Sequence, residues 1–570
     1  MWKEKIYDKT KESMLIQKGL HKMVARLISG RNIDVENVDK FLSSDYQNLS
    51  HPHKLHDLEK AVDIFIDVAK RKGTIKVWSD YDADGVLSAV MIKELCNVFG
   101  LECICMFSSR LEHGYGLNEK AVAEIKIREQ DSKTDLLFIL DSGTNSFNEI
   151  ENLKRTLTAK IIIIDHHTGD EGTISTNADA LITWHLSDGL NEMCACGEVF
   201  QFIRGIRWLT KKVNPIEFLA FAAIGTVADV SPIIGDNRII VKNGLSQYAI
   251  NHVSGAGLHS LLIQSKIHPS CLTQEDVAFR IAPRINAVGR MSKPDAVYDL
   301  LMERDVKSAE NLAEYILTYN DERKKIQKRI EDEAKSIADK NKFSHGTLVY
   351  DKGWHVGVVG IVAARLADTY NQPSLVVGYK DGSWKGSGRS LPGINIKEIL
   401  DLCPEIFEKY GGHAGAVGLT LKAGTLEKAP EIFNEACKTY LKNHSSQNIS
   451  DKYFDATLKP QAVSPKTCKI LIEQMYPYCK ENNAEPLFKL KDVNIVDADY
   501  IEKETWSLLK FHVEKDGYKI PHSFKTFSPP CGSEIEGRRA NIIFSFPQKT
   551  EDPSNYFFSF ELGVIDLELL

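Results

Sequence analysis

Acids and histidines recur in this chain at spacings that suit metal chemistry. In Ser79-Asp80-Tyr81-Asp82-Ala83-Asp84-Gly85 three aspartates alternate with uncharged residues. Side chains two apart share one face of an extended chain, so Asp80, Asp82 and Asp84 point the same way before a helix begins. Clustered carboxylates repel one another and take up protons unless a cation neutralises them. The spacing also opens a calcium EF-hand loop, but the twelfth loop position is Met91 rather than Glu, and an apolar strand rather than a helix precedes it. The second feature is Asp165-His166-His167 after a run of isoleucines. A lone buried histidine is more often a satisfied core group than a ligand. Two adjacent ones beside an acid shift the balance toward metal or phosphate chemistry. With Asp141 and Asp229 they complete a set of hard oxygen donors plus imidazole, which suits manganese or magnesium better than zinc. The number of donors fits two ions.

Such residues need elements that bring them together. Between about residues 70 and 240 short apolar strands alternate with helical segments, at Ile75 to Ser79, Leu136 to Leu140 and Ile161 to Ile164. That alternation predicts a mostly parallel sheet with helices on its faces. The strands end in Asp80, Asp141 and Asp165, and ligands of open parallel sheets sit beyond the carboxyl ends. The segment EFLAFAAIGTVADV brings Asp229 to the same rim. From Arg304 to Lys342 the chain is charged and free of Gly and Pro, which predicts one long solvated helix bridging domains. Its run Arg323, Lys324, Lys325, Lys328, Arg329 reads as a solvated face rather than a nucleic-acid contact. A second α/β unit follows, with a glycine-rich turn from Tyr410 to Gly418. From about Asp451 short alternating strands predict a small all-β barrel. The expected organisation is a helical segment over 1–65, a catalytic domain over 66–303, a connecting helix over 304–342, a smaller α/β domain over 343–446, a barrel over 451–547 and a tail over 548–570.

The 570 residues are enough for three or four domains. With 43% hydrophobic and 26% charged residues the composition is ordinary for a globular chain and argues against disorder or fibres. The net charge of -7 means that phosphate binding must come from local basic patches. The amino terminus is too charged for a secretory signal, and the longest apolar stretch, Phe218 to Ala228, is far short of a membrane span, so a cytoplasmic protein is expected. The 11 cysteines lack zinc-finger spacing. The tightest pairs, Cys103/Cys105 and Cys194/Cys196, read as buried thiols in a reducing compartment, with a metal or redox role as the minor alternative.

Taken in order, SDYDADG, ILDSG, IDHH and GTVADV resemble the four motifs of the DHH phosphoesterase superfamily. RLEHGYGL, APRINAVGRM, HVGVVGIVAARL, KGSGRS and GGHAGAVG are similar to RecJ nucleases in particular. The resemblance implies an α/β protein with a parallel-sheet DHH domain and a smaller DHHA1 domain joined by the long helix, then an OB-like barrel. It implies that Asp80, Asp82 and Asp141 hold one ion, that Asp84, Asp141, His166 and Asp229 hold the other, and that His167 sits near the phosphate. Ser142 follows Asp141 where RecJ proteins usually have Asn or Cys; the ligand is kept. Arg110, Arg284, Arg290 and Arg389, with His355, Ser387 and His413, are the implied substrate contacts, since guanidinium forks suit phosphate and glycines let backbone N–H groups approach it. Trp506, Phe511, Tyr518 and Phe524 are candidates for base stacking, although aromatics in a small barrel are more often core. The usual RecJ lead-in to the barrel, PFGxGNPEP, is reduced here to the stretch from Pro477 to Pro486.

The implied activity is 5′-3′ exonucleolytic hydrolysis of single-stranded DNA with two Mn2+ or Mg2+ ions, in repair and recombination. The implied protein is a cytoplasmic monomer, with single-strand-binding protein and a helicase as candidate partners and no membrane association. Two rivals stand beside it. One is a DHH phosphodiesterase on short oligonucleotides or cyclic dinucleotides, whose usual chains lack the barrel and the long helix. The other is a non-catalytic RecJ-like scaffold, whose chains tend to lose metal ligands, whereas all six are present here.

Overall fold

A computed structural model describes the chain except residues 1, 32, 44, 110–112, 114–115, 169–172, 292–293, 445–451, 480–482, 503–506, 528–534 and 548–560. Strands Ile75–Ser79 (β1), Cys103–Phe107 (β2), Leu136–Leu140 (β3), Lys160–Ile164 (β4) and Ala180–Ile182 (β5) form one sheet in the order β2-β1-β3-β4-β5, with every pairing parallel. All residues of β1 and β3 are buried, as expected of strands covered on both faces. Helix Ala83–Phe99 (α1) starts where β1 ends. Asp82 caps it by accepting from the amides of Asp84 and Gly85, and Gly100 ends it in the left-handed conformation. Helices Ala195–Thr210 (α2), Ile216–Ala228 (α3) and Gly235–Gly244 (α4) complete the core on that side. The short helix Ala282–Met291 (α5) lies beside the metal-type motif, where Asn286 accepts from the amide of Ala83 at 2.8 Å.

The long helix runs Val306–Asn341 (α6), capped by Asp305, which accepts from the amide of Ser308. At 1.5 Å per residue it spans roughly 54 Å. Its buried residues are Ala309, Ala313, Ile316, Asn320, Arg323, Ile330, Ala334 and Ala338, a three-and-four spacing that makes one continuous stripe. Ala309, Ala313 and Ile316 belong to the core of the first unit, and Ile330, Ala334 and Ala338 to a core with Trp354 and Val359. The solvated reading of the charged run is corrected at one position. Lys324, Lys325, Lys328 and Arg329 are exposed, but Arg323 falls on the stripe and is buried.

The second unit holds Thr347–Tyr350 (β6), Ser374–Lys380 (β7), Ser383–Arg389 (β8), Phe407–His413 (β9) and Ala416–Leu421 (β10), in the order β9-β10-β8-β7-β6, with helix Val359–Tyr370 (α7) between β6 and β7. The pair β6–β7 is parallel and the others are antiparallel. Most of the expected glycine-rich turn is a hairpin instead: Gly411 pairs with Gly418 and Gly412 with Val417, leaving Ala414 and Gly415 as its tip. Only glycine suits position 412, where φ is +138° and a Cβ would lie 2.4 Å from the carbonyl oxygen of Ala416.

The barrel is closed by Phe488–Glu502 (β11), Ser507–Lys515 (β12), Ser523–Phe527 (β13), Arg539–Ser545 (β14) and Glu561–Leu569 (β15). Pairings run β11–β12, β12–β13, β13–β15, β15–β14 and β14–β11. The expected tail over 548–570 is therefore corrected, because its last residues supply the strand that shuts the barrel. The expected helical segment over 1–65 also divides. Trp2–Glu4 pairs with Lys452–Phe454, and Leu15, Val24, Leu27, Ile28 and Val38 share the barrel's core, whereas Leu49, Leu55 and Leu58 join the first unit. Phe511 and Phe524 stack on each other inside the barrel at 5.7 Å and are fully buried, so neither is available to a base. Trp506 lies outside the described residues. No helix among the described residues is long and apolar enough to cross a membrane.

Side chains of the first unit hold the stretch that leads into the barrel, Gln274 by bonding both the amide and the carbonyl of Tyr478. Arg238 on α4, 2% exposed, donates to the carbonyls of Phe41, Gln474, Met475, Tyr476 and Pro477. Asn483, from the reduced lead-in, donates to Met475 and Pro477 as well. A buried guanidinium replaced by an apolar group removes its donors from all five carbonyls, of which only Met475 and Pro477 keep the amide of Asn483. Arg238→Met is expected to weaken the junction by about 2–4 kcal/mol, read as earlier release of the barrel in limited proteolysis across a urea series. Unchanged cleavage across that series would show that the clamp is dispensable.

Candidate metal centre

The acids do converge at the carboxyl edge of the parallel sheet. Asp80 and Asp141 follow β1 and β3 directly, Asp82 and Asp84 lie at the start of α1, and Asp229 caps the end of α3. Donor atoms of Asp80, Asp82 and Asp141 lie within 4.8 Å of one another, and so do those of Asp141, His166 and His167. His166 Nε2 stands 3.3 Å from Asp141, 3.8 Å from Asp229 and 3.9 Å from Asp84. Gly85 makes the turn possible, because a Cβ there would lie 2.4 Å from the carbonyl oxygen of Asp80. Asp141 adopts φ +56°, a left-handed backbone that is uncommon outside glycine and that clusters at functional sites.

Electrostatics follow from the crowding. Burial first, then Asp82, pushes Asp80 up to about 7. Burial, with Asp84 adding to it against the pull of His166, pushes Asp229 up to about 7. Burial and the fields of Asp84, Asp82 and Asp80 hold Asp141 well above the usual carboxylate range. The oxygen Oδ1 of Asp141 and Nε2 of His166 are both buried with no hydrogen-bond partner among the described residues. A divalent cation satisfies both and relieves the repulsion, and the oxygen-rich donor set fits manganese or magnesium.

Several supporting residues were not legible beforehand. Ser108 donates to Asp80 at 2.5 Å and Ser231 to Asp229 at 2.7 Å. Asp165 is no part of the ring of donors; it accepts from Thr144 and holds Nδ1 of His167 at 2.8 Å. Burial alone would raise Asp165, but His167 holds it well below the usual carboxylate range, and Asp165 in turn keeps His167 up at about 9 against burial. Asp84 accepts from the amides of Ala195 and Cys196 at the first turn of α2, each at 2.8 Å. Cys194 packs beside Asp84 and Asp229, and burial with Asp84 raises its thiol well above the usual range. No local signal marks Ser108 or Thr144, since each reaches the site from a different strand; Cys194 is marked only by its closeness to Cys196. The described cysteines are all free.

Of the expected substrate contacts, Ser387 and Arg389 meet at the first turn of α7, where a Cβ on Gly360 would lie 3.0 Å from Ser387 Oγ and 3.5 Å from Arg389 Nη2. Arg389 donates to Ser387 at 3.0 Å. His413, Ala416 and Arg389 form one row across β9, β10 and β8. His355 accepts from the amide of Gly357, beside which lies the carbonyl of Arg290. Arg284 instead turns back along the chain and donates to the carbonyl of Arg280, in the helical turn just before α5. Arg110 lies outside the described residues.

A parallel sheet that gathers acids and histidine at its carboxyl edge, followed by a smaller α/β unit, is the arrangement of DHH phosphoesterases. The family model for the DHH family, N-terminal domain, matches residues 74–226, and that for the DHHA1 domain matches residues 342–439. The single-stranded-DNA-specific exonuclease RecJ of Salmonella typhimurium is 30% identical over 465 residues, covering 76% of this chain and 78% of that protein. RecJ of Bacillus subtilis is 32% identical over 435 residues, 75% of this chain and 53% of that protein, so the chain matches about half of that relative's length. The fold also matches RecJ of Thermus thermophilus in complex with Mn2+, at TM-score 0.80 and 22% identity over 99% of this chain and 78% of that one. The chain belongs to the RecJ family of single-stranded-DNA-specific exonucleases.

Two outcomes are expected. Asp141→Ala removes the one carboxylate common to both clusters of acids and histidines, and should lower manganese affinity at least about 100-fold, measured by calorimetry; near-wild-type binding would displace Asp141 from the centre. The second concerns pH. With Asp80 and Asp229 at about 7 in the folded protein against an ordinary 3.8, the folded protein without metal binds more protons than the unfolded chain between those values. Its stability therefore falls as pH rises through that window. Manganese replaces the protons, so the gain in Tm on adding it should grow from about pH 5 to about pH 7.5. A gain that is flat with pH would contradict the raised carboxylates.

Proposed function

We propose that this protein is a metal-dependent exonuclease that hydrolyses single-stranded DNA from its 5′ end, in DNA repair and recombination. The observation that carries the reading is the ring of Asp80, Asp82, Asp84, Asp141, His166 and Asp229, in which Asp141 Oδ1 and His166 Nε2 are buried without a hydrogen-bond partner among the described residues. In this reading Asp80, Asp82 and Asp141 hold one manganese or magnesium ion, and Asp84, Asp141, His166 and Asp229 hold a second. When bound, such a pair supplies a nucleophile from water near neutral pH and neutralises charge on the displaced phosphate oxygens.

The chain's own groups do the rest. Ser108 and Ser231 orient Asp80 and Asp229. Asp165 and Thr144 aim the half-exposed ring of His167, whose protonated form offers an N–H to a phosphate oxygen. Ser387 and Arg389 sit at the N-terminal turn of α7, where backbone amides and a guanidinium fork suit a terminal phosphate. The barrel lengthens the grip on the strand through polar and cationic surface rather than through Phe511 or Phe524, which are core. The protein acts in the cytoplasm as a monomer, with single-strand-binding protein and a helicase as partners that feed it strands.

The test uses end-labelled single-stranded DNA of several lengths with Mn2+ or Mg2+, beside duplex and RNA. Release of label first from the 5′ end, with a preference for 5′-phosphate that Arg389→Ala loses, is the expected result. Nucleotides released first from a 3′ label would refute the polarity. Hydrolysis confined to the shortest oligonucleotides would favour the phosphodiesterase rival.

A further inference from the structure

Two polar side chains interrupt the buried stripe of α6 at its middle. Asn320 is 2% exposed and Arg323 is 9% exposed. Three residues apart, they share one face of the helix. They stand between the positions that pack on the first core, ending at Ile316 and Leu317, and those that pack on the second, beginning at Ile326. The break in the apolar stripe thus coincides with the place where the two cores part.

Each has one buried polar atom left unmatched by the described residues, Oδ1 of Asn320 and Nε of Arg323. The charge that acts on Arg323 is the like charge of Arg290, which together with burial lowers its pKa. Arg284 Nε, on the same helix α5 as Arg290, is also buried without a partner among the described residues. A buried guanidinium facing a like charge is destabilising, and an anion arriving from outside is what compensates it.

The surroundings say where such an anion comes from. Asn286 of α5 holds the amide of Ala83, and a Cβ on Gly289 would lie 2.5 Å from the carbonyl oxygen of Tyr81, so α5 abuts the metal-binding loop. The carbonyl of Arg290 lies against Gly357, just before α7. Arg323 therefore sits where the metal loop's supporting helix, the long helix and the second unit meet.

We propose that Arg323, with Asn320 beside it, is a seat for an internal phosphodiester of the strand where it crosses α6 near the metal centre. The inference rests on the nuclease reading above. The Arg323 fork grips phosphate oxygens, and the Asn320 amide, whose Oδ1 accepts from no described group, turns over to present Nδ2 to the same phosphate. The seat is separate from Ser387 and Arg389, so it contributes affinity without selecting the end.

The test measures binding of a 5′-hydroxyl single-stranded DNA of about 20 nucleotides by full-length protein across a salt series. Arg323→Met is expected to bind about ten-fold more weakly and to flatten the log–log salt slope by about 0.7, the share of one phosphate on a single strand. KM should rise with kcat nearly unchanged, equally for 5′-hydroxyl and 5′-phosphate ends. Lys328→Met removes the same charge from the exposed face and should change neither affinity nor slope. Wild-type affinity and slope in Arg323→Met, or an equal loss in Lys328→Met, overturns the seat. A lower Tm with an unaltered slope makes Arg323 a register-setting residue and overturns it too. Should Arg323→Met fail to fold, Arg323→Lys carries the test: it keeps the charge but not the fork, and must bind more weakly at unchanged Tm. Wild type is assayed alongside. If it cleaves single strands while the variants are unaffected, the seat alone fails; if it binds none, the nuclease reading fails with it.

Discussion

Mutual repulsion among buried carboxylates is the constraint on which this structure turns. Placing Asp80, Asp82, Asp84, Asp141 and Asp229 at one edge raises several of them far above their ordinary range. A fold can tolerate this only if the backbone is held firmly enough that the acids do not move apart. The parallel sheet supplies that rigidity, because β1 and β3 are hydrogen-bonded on both sides and buried on both faces. Asp141 then turns through a left-handed backbone conformation that its own amide, bonded to Ile164, keeps in place.

The supporting groups are arranged by the same logic. Asp84 is stabilised by the amides at the start of α2, where a helix end presents positive partial charge. Asp165 is satisfied by Thr144 and His167 and stays ionised, which leaves it outside the repelling ring. Two acids at the ends of neighbouring strands thus have opposite roles, set by whether a partner reaches them. Asp141 keeps an oxygen without a hydrogen bond; Asp165 does not.

That distinction also explains how much could be read from the chain beforehand. The strand-end acids were legible because each is the next residue after an apolar run, a purely local signal. The six donors, the parallel sheet, the long helix and the barrel's presence follow from patterns within a few residues. Asp165 and Asp141 look alike at that range, and Thr144 separates them only once β3 and β4 are side by side. The barrel's closing strand was missed because Glu561–Leu569 pairs in parallel with Ser523–Phe527 across an intervening strand. The split of the amino-terminal segment was missed for the same reason, since Trp2–Glu4 finds its partner at Lys452–Phe454. Arg323 was misread because composition outweighed phase: the run looks solvated as a whole, while its first member lies on the three-and-four stripe.

Phase also decides where a chain with net charge -7 can attract a polyanion. Along α6 several cations are matched within a turn, Lys324 with Asp321, Lys328 with Asp332 and Lys335 with Glu331. Such exposed pairs contribute little to stability and cancel one another's field at a distance. Arg323, turned inward from the same helix, faces the like charge of Arg290 instead. Low dielectric between the two cores strengthens its field over the short range that matters to a strand already in place. If the strand is seated at Arg323 as proposed, the helix offers it a charge that is screened from bulk solvent, and a thin, flexible polyanion reaches such a site more readily than a rigid duplex does.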